Sequence, residues 1–180
     1  MRKAYFNKLT KLILMSAILC VSLSGCLLSS ALGTRLVYID GDIGGFLDSE
    51  SKESLAILMR DIRSFGVYTV TAYKSKTLDL NGHVLTCKQI FPIPSNPIFT
   101  VMGELTIKDS GNGGLIKNES NANYIINVTS SGKLILESCS FESDNFYINV
   151  SGELVLSEEM YNSISDKISR ERYGRITLTD

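Results

Sequence analysis

Apolar side chains recur at two different spacings along this chain, and the change of spacing divides it into elements. Between residues 48 and 65, four apolar side chains fall on one face of a helical period, namely Leu55, Leu58, Met59 and Ile62. Gly66 follows them as a residue that suits the end of a helix. Beyond Gly66 apolar and polar residues alternate, which is the pattern of strands. We therefore expect an amphipathic helix within residues 47–66 and a β domain over residues 67–180.

A five-residue motif recurs along the β region: a glycine, a charged residue, an aliphatic residue, any residue and a second aliphatic residue. Four copies start at Gly103, Gly132, Gly152 and Gly174, and residues 76–80 form a copy without the glycine. Their first aliphatic positions are Leu78, Leu105, Leu134, Leu154 and Ile176. Stacked units of this kind bury a continuous column, whereas a single unit has nothing to pack against. The repeat therefore predicts an all-β solenoid of about five coils with these side chains stacked inward.

A second motif precedes three of the copies, at residues 99–101, 126–128 and 148–150. Each unit therefore contains at least two strands with a small turn between them. Asn127 and Asn149 fall at the same place in two of these strands, and we expect their amides to stack as a ladder. The residues that follow the motif glycines alternate in charge, which predicts ion pairs between neighbouring strands. They are Glu104, Lys133, Glu153 and Arg175.

The run from Lys76 to Thr86 resembles a phrase that recurs in exported bacterial right-handed parallel β-helix proteins, whose shape is similar to that of pectate lyases. Residues 103–110 and 113–116 are similar to the next coil of that family. The resemblance covers about residues 50–157 and implies a right-handed parallel β-helix whose N-terminal end is capped by the predicted helix. It implies no single activity, because this fold hosts lyases, hydrolases, adhesins and inert stalks. Residues 157–173 are polar and fit a short helix, an irregular loop or a lid.

The first 26 residues have the organisation of an export signal. A basic segment with Arg2, Lys3, Lys8 and Lys11 precedes an uncharged apolar run from Leu12 to Leu23. This run is shorter than the roughly 20 residues of a membrane-spanning helix, which favours a signal peptide. It ends in Leu23, Ser24, Gly25 and Cys26, an order that resembles the bacterial lipobox, in which the cysteine takes the lipid. We predict a signal peptide over residues 1–25 and an anchor and tether over residues 26–46. In the alternative, a secretory signal is cleaved nearby and Cys26 is not modified.

The charge balance and the cysteines narrow the classes of function. The 180 residues include 18 basic and 19 acidic side chains, which argues against a nucleic-acid-binding protein. A single histidine excludes a multi-histidine metal centre, and the sequence predicts neither a metal nor a cofactor. That residue, His83, follows Asn-Gly in a turn between strands and is interpreted as structural. Cys87 and Cys139 remain after processing, either as one disulfide or as two buried thiols.

Few side chains are candidates for chemistry or binding. Polysaccharide lyases of the fold that this chain resembles use calcium held by aspartates, with an arginine that acts on the sugar. In this chain the acidic residues of the repeats do not recur at one position of the motif, apart from Glu104 and Glu153. Asp40 and Asp42 flank Gly41 as in a polar turn, without the further ligands of a calcium loop. We therefore expect no catalytic residues. The candidates for glycan contact, if they share one exterior side, are Tyr73, Tyr124 and Tyr147.

These features predict a lipid-anchored module in the cell envelope, on the outer side of a bacterial membrane. It would act in binding, adhesion or structure without catalysis. Its partners would be the membrane, through the lipid, and a glycan or a surface protein. The alternative is a small polysaccharide lyase or hydrolase, or a degenerate fragment of one.

Overall fold

The computed structural model describes residues 33–48, 50–88, 97–120 and 122–180. Most of the regular structure in these residues is β. The helices among them are α1 (Asp40–Leu47), α2 (Glu158–Ile164) and a 3₁₀ turn (Ser165–Lys167). The predicted signal peptide and lipobox, with Leu23, Ser24, Gly25 and Cys26, lie outside the described residues.

The strands form three sheets, and the paired strands in each are parallel. Sheet 1 has seven strands, in the order β1 (Thr34–Val37), β2 (Leu55–Leu58), β5 (Ser75–Asp79), β8 (Glu104–Lys108), β11 (Lys133–Glu137), β14 (Glu153–Ser157) and β16 (Arg175–Thr179). Sheet 2 has four strands, in the order β3 (Ile62–Ser64), β6 (Val84–Cys87), β9 (Leu115–Asn118) and β12 (Ser140–Glu142). Sheet 3 has five strands, in the order β4 (Tyr68–Val70), β7 (Phe99–Val101), β10 (Tyr124–Val128), β13 (Phe146–Val150) and β15 (Ile168–Arg170).

From β2 to β13 the chain passes through the sheets in a fixed order and returns to sheet 1 after each circuit. The strands β2, β3 and β4 lie in sheets 1, 2 and 3, and the next three sets of strands repeat this order. Each circuit therefore adds one parallel strand to every sheet. The fold is mostly β, as the alternating pattern predicted, and its paired strands are parallel, as the resemblance implied.

Within sheet 1 the repeated motif is in register from strand to strand. Leu134 pairs with Leu105 on one side and with Leu154 on the other. All three side chains are fully buried, so their predicted inward stack is confirmed. Ile176 continues the file through its pairing with Leu154. Burial of each such side chain stabilises the fold by about 1.5–3 kcal/mol.

The copy at residues 76–80 is aligned differently from the sequence-based expectation. Leu78 pairs with Ile107, and the partner of Leu105 is Lys76. The predicted alignment was therefore wrong by two residues. The error arose because this copy lacks the glycine that marks the start of the others.

Lys76 consequently occupies a place in the inward file of sheet 1 and is only 3% exposed. Its Nζ donates to the carbonyl oxygens of Ser51 at 3.1 Å and Glu53 at 2.6 Å. The same atom lies 4.9 Å from the centre of the Phe46 ring. Burial lowers the pKa of this amine. The carbonyl acceptors and the aromatic face compensate for its removal from water.

The predicted helix over residues 47–66 is wrong, because this segment forms β2 and β3. The run Leu55–Leu58 is wholly apolar and satisfies a helical and a strand period equally well. Pairing decides between them: β2 lies between β1 and β5, with Ala56 and Leu58 fully buried. Met59, which the helix would have placed on its buried face, is 38% exposed.

The expectation of a tether over residues 26–46 is wrong for the described part, which holds β1 and most of α1. β1 pairs with β2, and Arg35 forms an ion pair with Glu53 at 3.1 Å. Asp40 and Asp42 do not form the predicted turn, because α1 begins at Asp40. The carboxylate of Asp42 accepts hydrogen bonds from the backbone N–H groups just before the helix, which caps its N-terminus.

α1 covers the end of the sheets at which a capping helix was expected. It packs against β1, β3 and β4, which are the edge strands of the three sheets at this end. Its Ile43 and Phe46 side chains are fully buried. Asp40 accepts a hydrogen bond from the hydroxyl of Tyr68 in β4, and burial raises the pKa of Tyr68, which keeps the hydroxyl protonated. The covering helix therefore exists, but residues 40–47 form it.

The polar segment 157–173 contains α2, the 3₁₀ turn and β15. α2 begins after Ser157, whose Oγ accepts a hydrogen bond from the N–H of Met160 at 3.2 Å. The helix packs against β14 and β16 and buries Ile164. β15 pairs with β13, so the chain returns to sheet 3 before it forms β16.

Candidate functional site

Five turns lead from a strand of sheet 3 into the next strand of sheet 1, and they line one corner of the molecule. The strands that follow are in register at Ser75, Glu104, Lys133, Glu153 and Arg175. Two residues before each of these positions lies one member of what we call the corner row: Tyr73, Met102, Ser131, Ser151 and Tyr173. All five residues line one or the other of two adjoining depressions at this corner.

The corner row has an exposed tyrosine at each end. Tyr73 is fully exposed, and Tyr173 is 81% exposed. The middle of the row is held together across turns, since the Oγ of Ser131 donates to the carbonyl oxygen of Met102 at 3.0 Å. Aromatic residues are enriched at binding surfaces, so the pair of rings marks this corner as a candidate site.

Two adjoining depressions, which together we call the corner groove, follow this row. The first has a volume of about 510 Å³ and is bordered by Tyr73, Lys74, Met102, Glu104, Ser131 and Lys133. The second has a volume of about 480 Å³ and is bordered by Ser131, Lys133, Ser151, Glu153, Tyr173 and Arg175. Because Ser131 and Lys133 border both depressions, the two adjoin each other between Tyr73 and Tyr173.

Charged side chains of alternating sign flank the corner row. Glu104 and Lys133 are 3.4 Å apart, and Glu153 and Arg175 are 2.9 Å apart, so the predicted ion pairs between strands are confirmed. Glu104 also accepts a hydrogen bond from the hydroxyl of Ser75 at 2.8 Å. Partly exposed pairs of this kind contribute up to about 1 kcal/mol. Each of these side chains can therefore leave its ion pair within the chain and bind a ligand instead at low cost.

The floor of the groove is backbone that is locked between successive turns. The N–H of Lys133 donates to the carbonyl oxygen of Gly103 at 2.8 Å, and that of Glu153 donates to Gly132 at 3.0 Å. A glycine is needed at position 132, because a Cβ there would overlap the carbonyl oxygen of Val101 in the preceding turn. The turns therefore form a rigid support for the side chains of the corner row.

The three tyrosines that the sequence suggested for glycan contact do not form one strip. Tyr73 follows the carboxyl end of β4, whereas Tyr124 opens β10 and Tyr147 lies near the start of β13. Because the strands of sheet 3 are parallel, Tyr73 lies where these strands end, whereas Tyr124 and Tyr147 lie where they begin. Tyr124 packs against Phe146 with ring centres 6.1 Å apart, and Tyr147 stacks on Phe141 at 5.5 Å. Of the three, Tyr73 alone borders the corner groove.

Tyr173 is the residue that sequence reasoning missed. It stands directly before Gly174 of the last motif copy, two residues before the strand position of Arg175. Tyr73 stands at the same distance from Ser75. The equivalence was hidden because the misalignment of residues 76–80 displaced Tyr73 by two positions. Alignment of the turns that precede the five strands β5, β8, β11, β14 and β16 shows that Tyr73 and Tyr173 occupy equivalent positions.

A second polar cluster joins the loop after β8 to the turn after β5, and we interpret it as structural. Asp109 accepts backbone hydrogen bonds from Gly82 at 2.6 Å, Gly111 at 3.2 Å and Gly114 at 2.7 Å. Burial opposes ionisation of this carboxyl, but the three donors outweigh it and lower the pKa of Asp109. The carboxylate therefore works as an acceptor that fixes two loops.

Replacing Asp109 by alanine is expected to reduce the free energy of unfolding by about 3 kcal/mol, since three backbone donors lose a charged acceptor. Asparagine is the matched control, because its single oxygen can keep the bonds that Oδ1 receives from Gly82 and Gly111. We expect Asp109→Asn to lose about half as much in urea unfolding. Equal stability of both variants and the original protein would contradict the structural role.

The same carboxyl predicts a pH dependence of stability. Folding lowers the pKa of Asp109, so its contribution is complete above the unfolded-state pKa of about 3.9. The contribution is lost as the pH falls through the lower pKa of the folded state. We expect the difference in stability between the original protein and Asp109→Ala to shrink in that acidic range.

The histidine and the two cysteines do not border the corner groove. His83 follows the Asn-Gly turn, and its Nδ1 lies 3.4 Å from the carboxylate of Asp61, in agreement with a structural role. Cys87 and Cys139 are both free and buried, which corresponds to the buried-thiol alternative. Burial raises the pKa of both thiols, that of Cys139 to about 12. Neither thiol is therefore poised as a nucleophile near neutral pH.

The predicted asparagine ladder is confirmed on the outward side of sheet 3. The Nδ2 of Asn149 donates to the Oδ1 of Asn127 at 3.0 Å and to the carboxylate of Glu171 at 3.1 Å. Thr100 is the partner of Asn127 in the preceding strand. This polar file stabilises the strand register one residue away from the buried side chains.

The described residues contain no group of three or more His, Cys, Asp and Glu side chains that could hold a metal ion. In the same part of the chain, no helix has the length and the apolar character needed to cross a bilayer. Comparison with protein-family models, curated proteins and solved structures finds no match for this chain.

Proposed function

We propose that this protein is a lipid-anchored cell-surface module that binds a ligand in the corner groove without converting it. In this proposal its scaffold is a right-handed parallel β-helix of stacked circuits. Two observations support that architecture: the fixed order in which the chain visits the three sheets, and the gain of one parallel strand per sheet in each circuit. Right-handed connections are the rule for parallel strands joined across a sheet.

The corner row is the observation that carries the proposal of binding. Turns that are far apart in the sequence line the two adjoining depressions of the corner groove, and an exposed aromatic ring borders each of them. Glu104 and Glu153 are each held by a cation and by a hydroxyl group. Carboxylates held in this way suit hydrogen bonding to a ligand better than proton transfer, which supports a role without turnover.

Binding is tested with the detergent-solubilised lipoprotein on immobilised glycans and surface proteins. We expect Tyr73→Ala and Tyr173→Ala each to weaken binding at least tenfold, because each removes an aromatic contact worth about 1.4 kcal/mol or more. Tyr38→Ala is the matched control, since Tyr38 is half exposed but does not border the groove. Unchanged affinity in both groove variants would show that the ligand binds elsewhere.

An activity assay on the same sample separates binding from the enzymatic alternative. We expect retention of the ligand without turnover and without dependence on calcium. Polysaccharide cleavage that stops when calcium is chelated would establish a glycan-active enzyme and overturn the proposal.

The lipid anchor is tested by replacing Cys26 with serine. We expect Cys26→Ser to lose the incorporation of labelled fatty acid, because the thiol is the group that takes the lipid. Cys20→Ser is the matched control, since Cys20 lies in the predicted signal peptide and its loss should leave the label unchanged. Labelling of Cys26→Ser at the original level would refute the lipobox.

A further inference from the structure

We infer that an apolar patch at the N-terminal end of the sheets lies against the bilayer that holds the lipid anchor, so that the protein contacts the membrane through side chains as well as through its lipid. This inference rests on the lipid anchor of the proposed function. We call the surface the terminal patch, and its members are Tyr38, Ile39, Met59, Phe65 and Val67.

The exposed apolar side chains of this protein are concentrated in the terminal patch. Among the described residues nine large apolar side chains are exposed, and five of them belong to it. Their exposed fractions range from 38% at Met59 to 63% at Ile39. Concentrations of exposed apolar side chains are typical of surfaces that contact a membrane or another protein.

Hydrogen bonds hold the segments of the patch against one another. The N–H of Met59 donates at 3.0 Å to the carbonyl oxygen of the residue before Tyr38. The carboxylate of Asp40, which follows Ile39, accepts a hydrogen bond from the N–H of Phe65 at 3.3 Å. These segments adjoin β1, β3 and β4, the edge strands of the three sheets. The patch is therefore part of the outermost layer at this end.

The predicted lipid site is close to the patch along the chain. Cys26 stands seven positions before Gly33, where the described part of the domain begins. A segment of this length spans at most about 25 Å. Tyr38 follows directly after β1, the first strand of the domain. Because the lipid keeps this end near the bilayer, the effective concentration of membrane at the patch is high, and a weak contact is sufficient.

The side chains of the patch suit the interface between lipid and water. Tyrosine is enriched at membrane surfaces, because its ring packs among apolar groups while its hydroxyl reaches water. Ile39 and Phe65 are of the kind that surface-bound segments bury at the headgroup boundary. Arg60 and Lys88 are exposed beside them, and long basic side chains can reach lipid phosphates while their stems lie on apolar surface.

The charges around the patch nearly balance, so attraction to anionic lipid does not carry the contact. The acidic residues that adjoin it are Asp40, Asp42, Asp61 and Glu119, and the basic ones are Arg60, Arg63 and Lys88. Glu119 and Arg63 are paired at 3.1 Å. Asp48, Glu50 and Lys52 follow the other end of α1, away from the patch. A neutral bilayer is therefore sufficient, unlike for a polybasic segment.

Contact at the terminal patch orients the corner groove. Sheet 1 starts with β1 at this end and finishes with β16. Tyr73 precedes β5, the third strand of that order, and Tyr173 precedes β16, the last. The groove therefore leads away from the bilayer over four strand spacings, roughly 19 Å, and its Tyr173 end faces ligands that approach from outside.

The test uses a tryptophan in the patch as a reporter, because the chain contains none. The Phe65→Trp lipoprotein is reconstituted into phosphatidylcholine vesicles and into vesicles of the same lipid with brominated acyl chains, which quench tryptophan on contact. We expect the bromine to lower the emission about twofold or more. Phe146→Trp is the matched control, since Phe65 and Phe146 are 45% and 46% exposed, and its emission should be equal in both vesicles.

Charge substitutions on the reporter protein show whether the patch makes the contact. Ile39→Glu should remove at least half of the quenching of Phe65→Trp, because it places a carboxylate in the apolar surface. Leu178→Glu should leave the quenching unchanged, since Leu178 is exposed in β16 at the other end of sheet 1. Equal loss in both variants would contradict the assignment of the patch.

Two results with the reporter would overturn the inference. The first is quenching of Phe65→Trp no greater than that of Phe146→Trp. The second is emission from Phe65→Trp that is already blue-shifted in detergent and insensitive to bromine, which would show that a second copy or another part of the chain covers the patch.

Labelling with fatty acid on the same samples separates this inference from the anchor of the proposed function. If the label is incorporated and Phe65→Trp is not quenched, the inference is wrong and the anchor stands. If the label is absent while Phe65→Trp is quenched, the patch binds lipid by itself and only the anchor is wrong. If neither is observed, both are wrong.

Discussion

Replacing Leu134 by aspartate is expected to unfold the protein. Leu134 is fully buried between Leu105 and Leu154 in the inward file of sheet 1. The change leaves a cavity and places an unpaired carboxylate in apolar surroundings, which costs several kcal/mol. Because a domain of this size is stable by only about 5–15 kcal/mol, circular dichroism should show loss of most β structure or a greatly lowered melting temperature.

Ile135→Asp is the matched control for this prediction. Ile135 is the next residue in the same strand, and its side chain points to the other side of the sheet, where Thr106 is its partner. We expect this variant to remain folded and to lose less than half as much stability as Leu134→Asp. If Leu134→Asp melted at the original temperature, the inward file of the repeat would be misplaced.

Replacing Gly132 by alanine is expected to cost about 2–4 kcal/mol of stability, although it adds one methyl group. The new Cβ would overlap the carbonyl oxygen of Val101 and lie 2.9 Å from its carbonyl carbon. Both are backbone atoms of the preceding turn, so no side-chain movement can relieve the overlap. Urea unfolding should therefore show a lowered midpoint, and binding in the corner groove should weaken with it.

Gly41→Ala is the matched control, because a Cβ on Gly41 would meet no atom within 4 Å. Gly41 lies in α1, where alanine is favoured over glycine by about 0.5–1 kcal/mol. We expect this variant to be slightly more stable than the original protein. A Gly132→Ala protein as stable as Gly41→Ala would mean that successive turns do not approach as closely as described.

The register of the strands could be predicted where the sequence marks the close approach of two turns. The glycines at 103, 132, 152 and 174 are forced by neighbouring backbone, so their spacing gave the inward file of Leu105, Leu134 and Leu154 directly. Lys74 takes the place of the glycine before β5. With that mark absent, the first copy was aligned two residues too late, and the equivalence of Tyr73 with Tyr173 was lost.

The N-terminal elements could not be predicted, because their conformation depends on partners far away in the sequence. Residues 55–58 are apolar at every position, so period alone does not separate helix from strand. Their strand is selected by β1 and β5 on either side. The helix at residues 40–47 has two glycines at its centre and weak intrinsic helix propensity. It is stabilised by burial of Ile43 and Phe46 against the edge strands.

The central claim, that five registered turns form one binding groove, is tested most directly by nuclear magnetic resonance. The isotope-labelled protein in detergent is titrated with the ligand selected on the immobilised glycans and surface proteins, and amide shifts are followed. We expect the largest shifts at residues 72–75, 102–104, 130–133, 151–153 and 173–175 together. Shifts confined to Tyr124, Phe146 and Tyr147, which lie where the strands of sheet 3 begin, with none in the five turns, would contradict the claim.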